Sequence, residues 1–490
     1  MSVLHSLLVD FNSYFASVEQ QFEPRLRGQP VAVVPVMTDS TCCIAASYEA
    51  KKFGIKTGTR VGLARRLCPE LHVIEARPPL YVETHQNLLE AIDSCIEVEK
   101  KNVLSIDEVL CELTGQWRER AHAEKLARAI KKSVASKVGE FLRSSIGIAP
   151  NQLLAKAASD MQKPDGLVII EKSALPQCLF GLELNDFCGI GRRMDARLRA
   201  AGIHTVEQLC MAPRGHLRKI WGSVEGERMF DSLRGERVAR PLTNKSMLGH
   251  SHVLAPEQRN DTDALAVLHR LLQKAAMRLR HDGYFARGLS LFIEFLHVGG
   301  ASQEMRFRET QDTIELAATM RELWSRRPRR REPPLMVGVD LFDLVAKQNF
   351  TPSLFPEEQA RGKFFAQMDA LNEELGKNAL YFASSHEALH SAPMRIAFNR
   401  VPDLQTEADE PSRQSDESLM LHIHRGHSRR PNMRFRVVLK PRKKGIFTAE
   451  CPKFPDSASN GKNYEEAIAH LHAAVSEHLD GLEERAALLD

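Results

Sequence analysis

Short apolar runs and stretches of helical period alternate along the first part of the chain. LLVD (7–10), PVAVVPV (30–36) and LHVIEA (71–76) read as strands. Residues 47–53 read as a helix, with Gly54 as its C-terminal signal. YVETHQNLLEAIDSCI (81–96) is a helix with Val82, Leu88, Leu89 and Ile92 on one face. VLSIDEVLCELTG (103–115) is an apolar run broken by Asp107 and Glu108, which predicts two strands, or one bent strand, with the acid pair at the bend. AHAEKLARAIKKSVASKV (121–138) is an amphipathic helix, and SSIGIA (144–149) a strand leading into the helix NQLLAKAASDMQ. This order predicts a mixed sheet with helices on at least one face.

Farther along, FCGIGRRMDARLRAAGIHTVEQL (187–209) has a helix-hairpin-helix pattern, with Gly189 and Gly191 in the hairpin. Glycines let a backbone approach a phosphate, and the next helix N-terminus offers unpaired N–H groups, with Arg192, Arg193 and Arg197 supplying charge. Residues 244–345 read β-α-β-β-α-β, with Leu265, Leu268, Leu272 and Leu279 on one face of the first helix. After a linker, MRFRVVLKPRKKGIFTAECPKF predicts a hairpin turning at KPRKKG, and Asn463 caps a last helix, YEEAIAHLHAAVSEHL.

With 490 residues and 43% hydrophobic content, the chain is long enough for several cored domains. No apolar run reaches the length of a membrane span and the N-terminus has no signal-peptide architecture, so a cytoplasmic protein is expected, away from membranes. Nine cysteines, an odd number with no C-x-x-C pair, argue for reduced thiols and against a zinc site. The net charge of +4 decides little, but its distribution is uneven. RRPRRRE (326–332) is strongly basic, a DNA grip or a solvated loop, and residues 403–418 are polar and mostly acidic.

The acid pair carries the chemistry. Burying ions costs several kcal/mol each unless a partner charge or a cation compensates. A solvated hairpin tip is the plain alternative, since acidic turns are common. In the expected sheet, Asp10 at the end of LLVD falls beside Asp107 and Glu108 on neighbouring strands. Converging carboxylates repel one another and become tolerable around divalent cations, and hard oxygen donors favour magnesium. That layout suits two-metal phosphoryl transfer.

LLVDFNSYFASVEQQFEPRLRGQPVAV, IAASYEAKKFGIKTGTRV, LSIDEVLCELTG and SSIGIAPNQLLAKAASDMQKPDG, in this order, resemble the consecutive motifs of Y-family translesion DNA polymerases. The likeness covers about residues 5–240 and continues more loosely to about 385. It implies an α/β (α+β) right-hand fold: palm (1–11 and 77–166), fingers (12–76), helical thumb (167–240) and ferredoxin-like little finger (244–385). A partly disordered linker (386–430) and a small ββα module (431–490) would follow.

Carried over by position, the resemblance implies that Asp10, Asp107, Glu108 and the Phe11 carbonyl hold two Mg²⁺ ions. Phe15 matches the steric gate under the incoming sugar. Tyr48, Lys51 and Lys163 match the groups that hold the triphosphate, with amides around Tyr14 and Phe15 adding donors. Lys51 stands where the family usually has arginine, giving a point charge in place of a bidentate fork, and Asn12 replaces a frequent aspartate. The implied partners are primer-template DNA and dNTP, bound by a monomer associated with the nucleoid. Gly189, Gly191, Arg192 and Arg193 would grip DNA backbone. Residues 350–358 occupy the place of a sliding-clamp peptide, where Ser353, Leu354 and Phe355 fit and Thr351 replaces the expected glutamine. Some family members have lost the acids and act as DNA-binding adaptors that recruit another polymerase. This chain keeps all three, which favours the enzyme.

Overall fold

The computed structural model describes residues 4–95, 101–239, 245–351, 356–375, 379–389, 391, 396 and 401–402, with shorter pieces between 420 and 474. Two compact units divide the chain at residue 409.

The first sheet is built around β1 (Ser6–Phe11), buried at every position. The small outlying sheet holds β2 (Val31–Val34), β3 (Ala45–Ala46) and β4 (His72–Glu75). β5 (Lys101–Val103), β6 (Glu108–Glu112), β7 (Ser144–Ala149) and β8 (Leu167–Ile169) complete the main sheet, ordered β5-β6-β1-β7-β8. The acid segment is thus a pair of strands with its bend at 104–107.

The helices of this part are α1 (Tyr14–Phe22), α2 (Tyr48–Lys51), α3 (Val61–Leu67), α4 (Pro78–Asp93), α5 (Arg120–Lys137) and α6 (Gln152–Met161). Successive β1 side chains point to opposite faces. Leu7, Val9 and Phe11 share a core with Tyr81, Leu88 and Ile130, whereas Leu8 packs with Leu154 and Ala158. Helices therefore cover both faces, which is why the run Leu7–Val9 ahead of Asp10 is wholly apolar. Gly147 lets α6 lie close on β7, because any side chain there would overlap the Ala155 carbonyl and the Ser159 amide.

Four short helices follow: α7 (Arg192–Ala200), α8 (Val206–Met211), α9 (Arg214–Trp221) and α10 (Glu225–Leu233). Thr205 and Gln208 form a capping box that starts the second of them.

The expected β-α-β-β-α-β order is present as β9 (Met247–Val253), α11 (Asp261–His281), β10 (Tyr284–Phe295), β11 (Gly299–Thr310), α12 (Thr313–Ser325) and β12 (Pro334–Phe342). The sheet runs β11-β10-β12-β9, antiparallel throughout. β12 lies between β9 and β10, and β10 between β11 and β12, so each βαβ unit is split by a strand of the other. Leu268, Leu272 and Leu279 are buried against this sheet, and Leu265 is half-buried.

Several elements were not anticipated, among them α1, β3, α3, β8, α9 and α10. β13 (Val345–Ala346) pairs with the start of β10, and α13 (Pro356–Leu375) is a long helix in a stretch with no clear periodicity. In the C-terminal unit, β14 (Met420–Ile423) pairs with β15 (Met433–Arg436), so the segment read as linker contains a strand. Along the sequence this short run sits in a mostly polar stretch, which hid it. The expected hairpin is β16 (Val438–Arg442) with β17 (Ile446–Cys451), joined by a third strand, β18 (Phe454–Gly461). Asn463 lies outside the described residues.

Candidate active site

Asp10 ends β1 and Glu108 begins β6, and the two are direct partners in the antiparallel register. The Phe11 amide donates to the Asp107 carbonyl at 2.8 Å, which closes the bend onto the end of β1. Ser105 Oγ donates to Asp107 Oδ1 at 2.6 Å. From α4, buried His85 places Nδ1 2.7 Å from the Ile106 carbonyl oxygen; burial lowers its pKa and keeps the ring a neutral donor. Burial is also the largest cause raising the Asp107 and Glu108 carboxyls above their usual range, and the Asp10 charge adds to it.

Two ammonium groups answer this negative charge. Lys156 Nζ lies 2.5 Å from Asp10 Oδ2 and 2.9 Å from Glu108 Oε1, and 3.2 Å from Asp160 Oδ2. Lys163 Nζ lies 2.8 Å from both Asp10 Oδ2 and Asp160 Oδ1. Burial opposes the Lys156 charge, yet Asp10 and Glu108 outweigh it and raise the pKa. Among the described residues no three acidic, imidazole or thiol side chains are drawn together as ligands of one ion. Asp10, Glu108 and Asp160 share the Lys156 ammonium, while Asp107 bonds to Ser105. The carboxylates that face this cleft form an all-oxygen donor set, the kind suited to magnesium.

Across the cleft, Ser47 Oγ caps α2 by accepting from the Ala50 amide at 3.3 Å. The same short helix carries Tyr48 and Lys51. Lys51 Nζ sits 4.3 Å from the Tyr48 ring centroid and donates to Ser13 Oγ at 2.7 Å. Burial, then the neighbouring Lys163, lower the Lys51 pKa, so both cations face one space that favours an anion. Phe15 is half-buried and borders this cleft of about 370 Å³ together with Asp10, Asp107, Lys51 and Lys163. Behind the ring, Tyr14 Oη donates to the Tyr81 carbonyl at 2.6 Å, which ties α1 to α4.

The structure thus brings Asp10, Phe11, Asp107, Glu108, Tyr14, Phe15, Lys51 and Lys163 to one cleft, with Tyr48 beneath Lys51. Sequence reading missed Lys156, Asp160, Ser13 and His85. Lys156 and Asp160 are one helical turn apart, with Lys163 three residues on. That charge spacing was legible, but nothing in it pointed at β1.

Elsewhere, Gly189 has φ +93° and Gly191 caps α7, and both are exposed beside exposed Arg192 and Arg193. Arg197 instead donates to the Ile220 carbonyl, a packing role. In the basic run, Arg326 pairs with Glu322, and Arg327 pairs with Asp261 and covers the Trp324 ring at 3.8 Å. Arg327 is committed within the fold, whereas Arg326 is exposed in a surface pair. Ser353, Leu354 and Phe355 lie outside the described residues. Among the described residues no helix is long and apolar enough to cross a membrane.

Comparison with known proteins places the chain among polymerases. Residues 9–160 match the impB/mucB/samB family, and residues 245–354 match that family's C-terminal domain. The chain is 32% identical to a DNA polymerase IV of Moorella thermoacetica, over 77% of this chain and 95% of that one. It is 29% identical to a DNA polymerase IV of Bacillus velezensis, over 80% of this chain and 95% of that one. A solved Y-family DNA polymerase chimera superposes with a TM-score of 0.60 at 25% identity, covering 70% of this chain and 99% of its own.

Proposed function

Because this chain belongs to the impB/mucB/samB family of Y-family polymerases and is a DNA-directed DNA polymerase of the translesion class, we propose how its residues divide the work. The enzyme is metal-dependent, and Asp10, Asp107, Glu108 and the Phe11 carbonyl hold two Mg²⁺ ions. Bound, these ions supply an activated primer 3′-hydroxyl and neutralise the charge that departs with pyrophosphate. Holding them requires Lys156 to leave Asp10 and Glu108, and Asp160 on the same helix turn keeps its ammonium within the site.

Lys51 and Lys163 hold the triphosphate from two sides, and the Tyr48 and Ser13 hydroxyls orient it. Phe15 lies under the sugar and excludes a 2′-hydroxyl by shape. The left-handed residue Ser13 (φ +49°) turns the chain so that the amides of Tyr14 and Phe15, at the start of α1, face the phosphates. The first sheet with its helices is the palm, the β2–β4 sheet the fingers and α7–α10 the thumb, while the split βαβ unit is the little finger. DNA backbone is gripped at Gly189, Gly191, Arg192 and Arg193. Leu354 and Phe355 engage the clamp. The protein works as a monomer in the cytoplasm, on nucleoid DNA.

The observation that carries this reading is the direct Asp10–Glu108 pairing with Asp107 at the adjoining bend, facing two cationic side chains. Primer extension with magnesium tests it. The protein should extend a primer, and Asp107→Ala should lose at least about 10³-fold in rate while keeping its melting temperature. Equal extension by that variant would remove Asp107 from the residues that hold the ions.

A further inference from the structure

The loop that carries Lys163 is fastened to the end of β1 by a side chain with no place in the scheme above. Asn12 is 3% exposed, two residues beyond Asp10. Its Oδ1 accepts from the Asp165 amide at 2.8 Å, and its Nδ2 donates to Ser145 Oγ at 3.1 Å. Ser145, fully buried on β7, accepts from the Gly166 amide at 3.3 Å and lies 3.3 Å from the Gln162 carbonyl oxygen. From α5, Lys131 donates to the Asp165 carbonyl at 2.9 Å and to Asp165 Oδ1 at 2.6 Å.

These bonds hold a segment of unusual shape. Asp165 has φ +59°, a conformation that costs energy for a residue with a side chain and persists only where the surroundings enforce it. Between the clasped residues 162 and 165–166 sits Lys163, whose ammonium reaches back to Asp10 Oδ2 at 2.8 Å. A closed circuit results: Asp10 to Asn12 along β1, Asn12 to Asp165 by hydrogen bond, Asp165 to Lys163 along the loop, and Lys163 to Asp10 by charge.

We propose that Asn12 is a positioning residue for nucleotide binding, acting through Lys163. Its carboxamide, with Ser145 and Lys131, fixes the 162–166 loop so that the ammonium stands at one distance from the acids and from the triphosphate. An amide suits the post because it accepts from a backbone N–H and donates to a hydroxyl at once. The inference rests on the reading of Lys163 as a triphosphate ligand.

Single-nucleotide primer extension, with KM for dNTP and kcat measured separately, tests it. Asn12→Ala should raise KM about tenfold with a smaller change in kcat, below the roughly 10²-fold that a misplacement of about 1 Å can cost, because Ser145 and Lys131 still hold the loop. Lys131→Met, at the far side of the clasp, should move KM the same way with its melting temperature kept, and decides the matter if Asn12→Ala does not fold. Asn12→Asp keeps the acceptor for the Asp165 amide and should recover most of the loss. The decisive arm is the double variant: Asn12→Ala in a Lys163→Ala background should raise KM no further, because residues acting in series are not additive. Multiplying effects, or unchanged KM in both folded clasp variants, would overturn the inference. If Lys163→Ala alone leaves KM unchanged, the triphosphate role of Lys163 is what fails, and the clasp proposal falls with it.

Discussion

The Phe15 ring lies stacked on Tyr81, with centroids 4.6 Å apart and planes 23° from parallel. Tyr81 is itself fully buried and anchored, its hydroxyl donating to Glu19 Oε1 at 2.7 Å. A ring backed this way cannot tilt aside for a larger sugar. Phe15→Ala is therefore expected to raise ribonucleotide incorporation relative to deoxyribonucleotide by about 10²-fold, a discrimination within reach of a steric pocket. The ratio of kcat/KM for matched rNTP and dNTP measures it, and an unchanged ratio would remove Phe15 as the gate.

Glu19 carries the load behind that ring. It is 1% exposed, accepts from Tyr81, and pairs with Arg77 Nε at 3.0 Å. Glu19→Ala leaves a buried hydroxyl without its acceptor, while half-exposed Arg77 regains water. A loss of about 2 kcal/mol is expected, read as a lower denaturation midpoint. Sugar discrimination should also relax in this variant, because Tyr81 loses its anchor.

Lys156 makes the acid cluster tolerable to the fold. In Lys156→Met the Asp10 and Glu108 carboxylates lose their shared ammonium, leaving Asp10 with Lys163 alone. With a chelator present the variant should lose about 2–3 kcal/mol of stability. Added Mg²⁺ should raise its melting temperature more than that of the parent, because a cation then supplies what the lysine did. Equal responses to magnesium in the two proteins would refute this.

His269, on α11, faces Gln273, Thr313, Arg321 and Ser384 around a small cavity. Burial, with Arg321 adding to it, lowers its pKa to about 4. Below pH 6.5 the unfolded chain takes up a proton that the folded one refuses, so stability falls with pH until about 4, where both forms are protonated. Roughly 1–3 kcal/mol is at stake. Between pH 7 and 4.5, His269→Leu should lose less stability than the parent, measured by thermal melting at each pH.

Much of this protein is written locally. The run LLVD, the strand SSIGIA and the helix that follows it are legible from their period, and each formed where expected. The βαββαβ series was equally legible, because each element is long enough to show its own period. The placement of Asp10 beside Glu108 on neighbouring strands, with Asp107 at the bend, was also foreseen, because the apolar runs on either side of the acids read as strands.

Other features had no local signal. β14 is four residues long in a mostly polar stretch, and α13 lacks a clear apolar stripe. Lys156 reads along the chain as an ordinary helix charge; only the glycine-permitted approach of α6 to β7 aims it at Asp10. Asn12 likewise looked like an incidental departure until the 162–166 loop folded back upon it. The sequence by itself determined the long strands and helices with a clear period and which residues carry charge, because those depend on near neighbours. Only the tertiary structure decided which charges meet, because a hydrogen bond or ion pair needs both partners within about 3 Å, and separation along a chain does not set that distance.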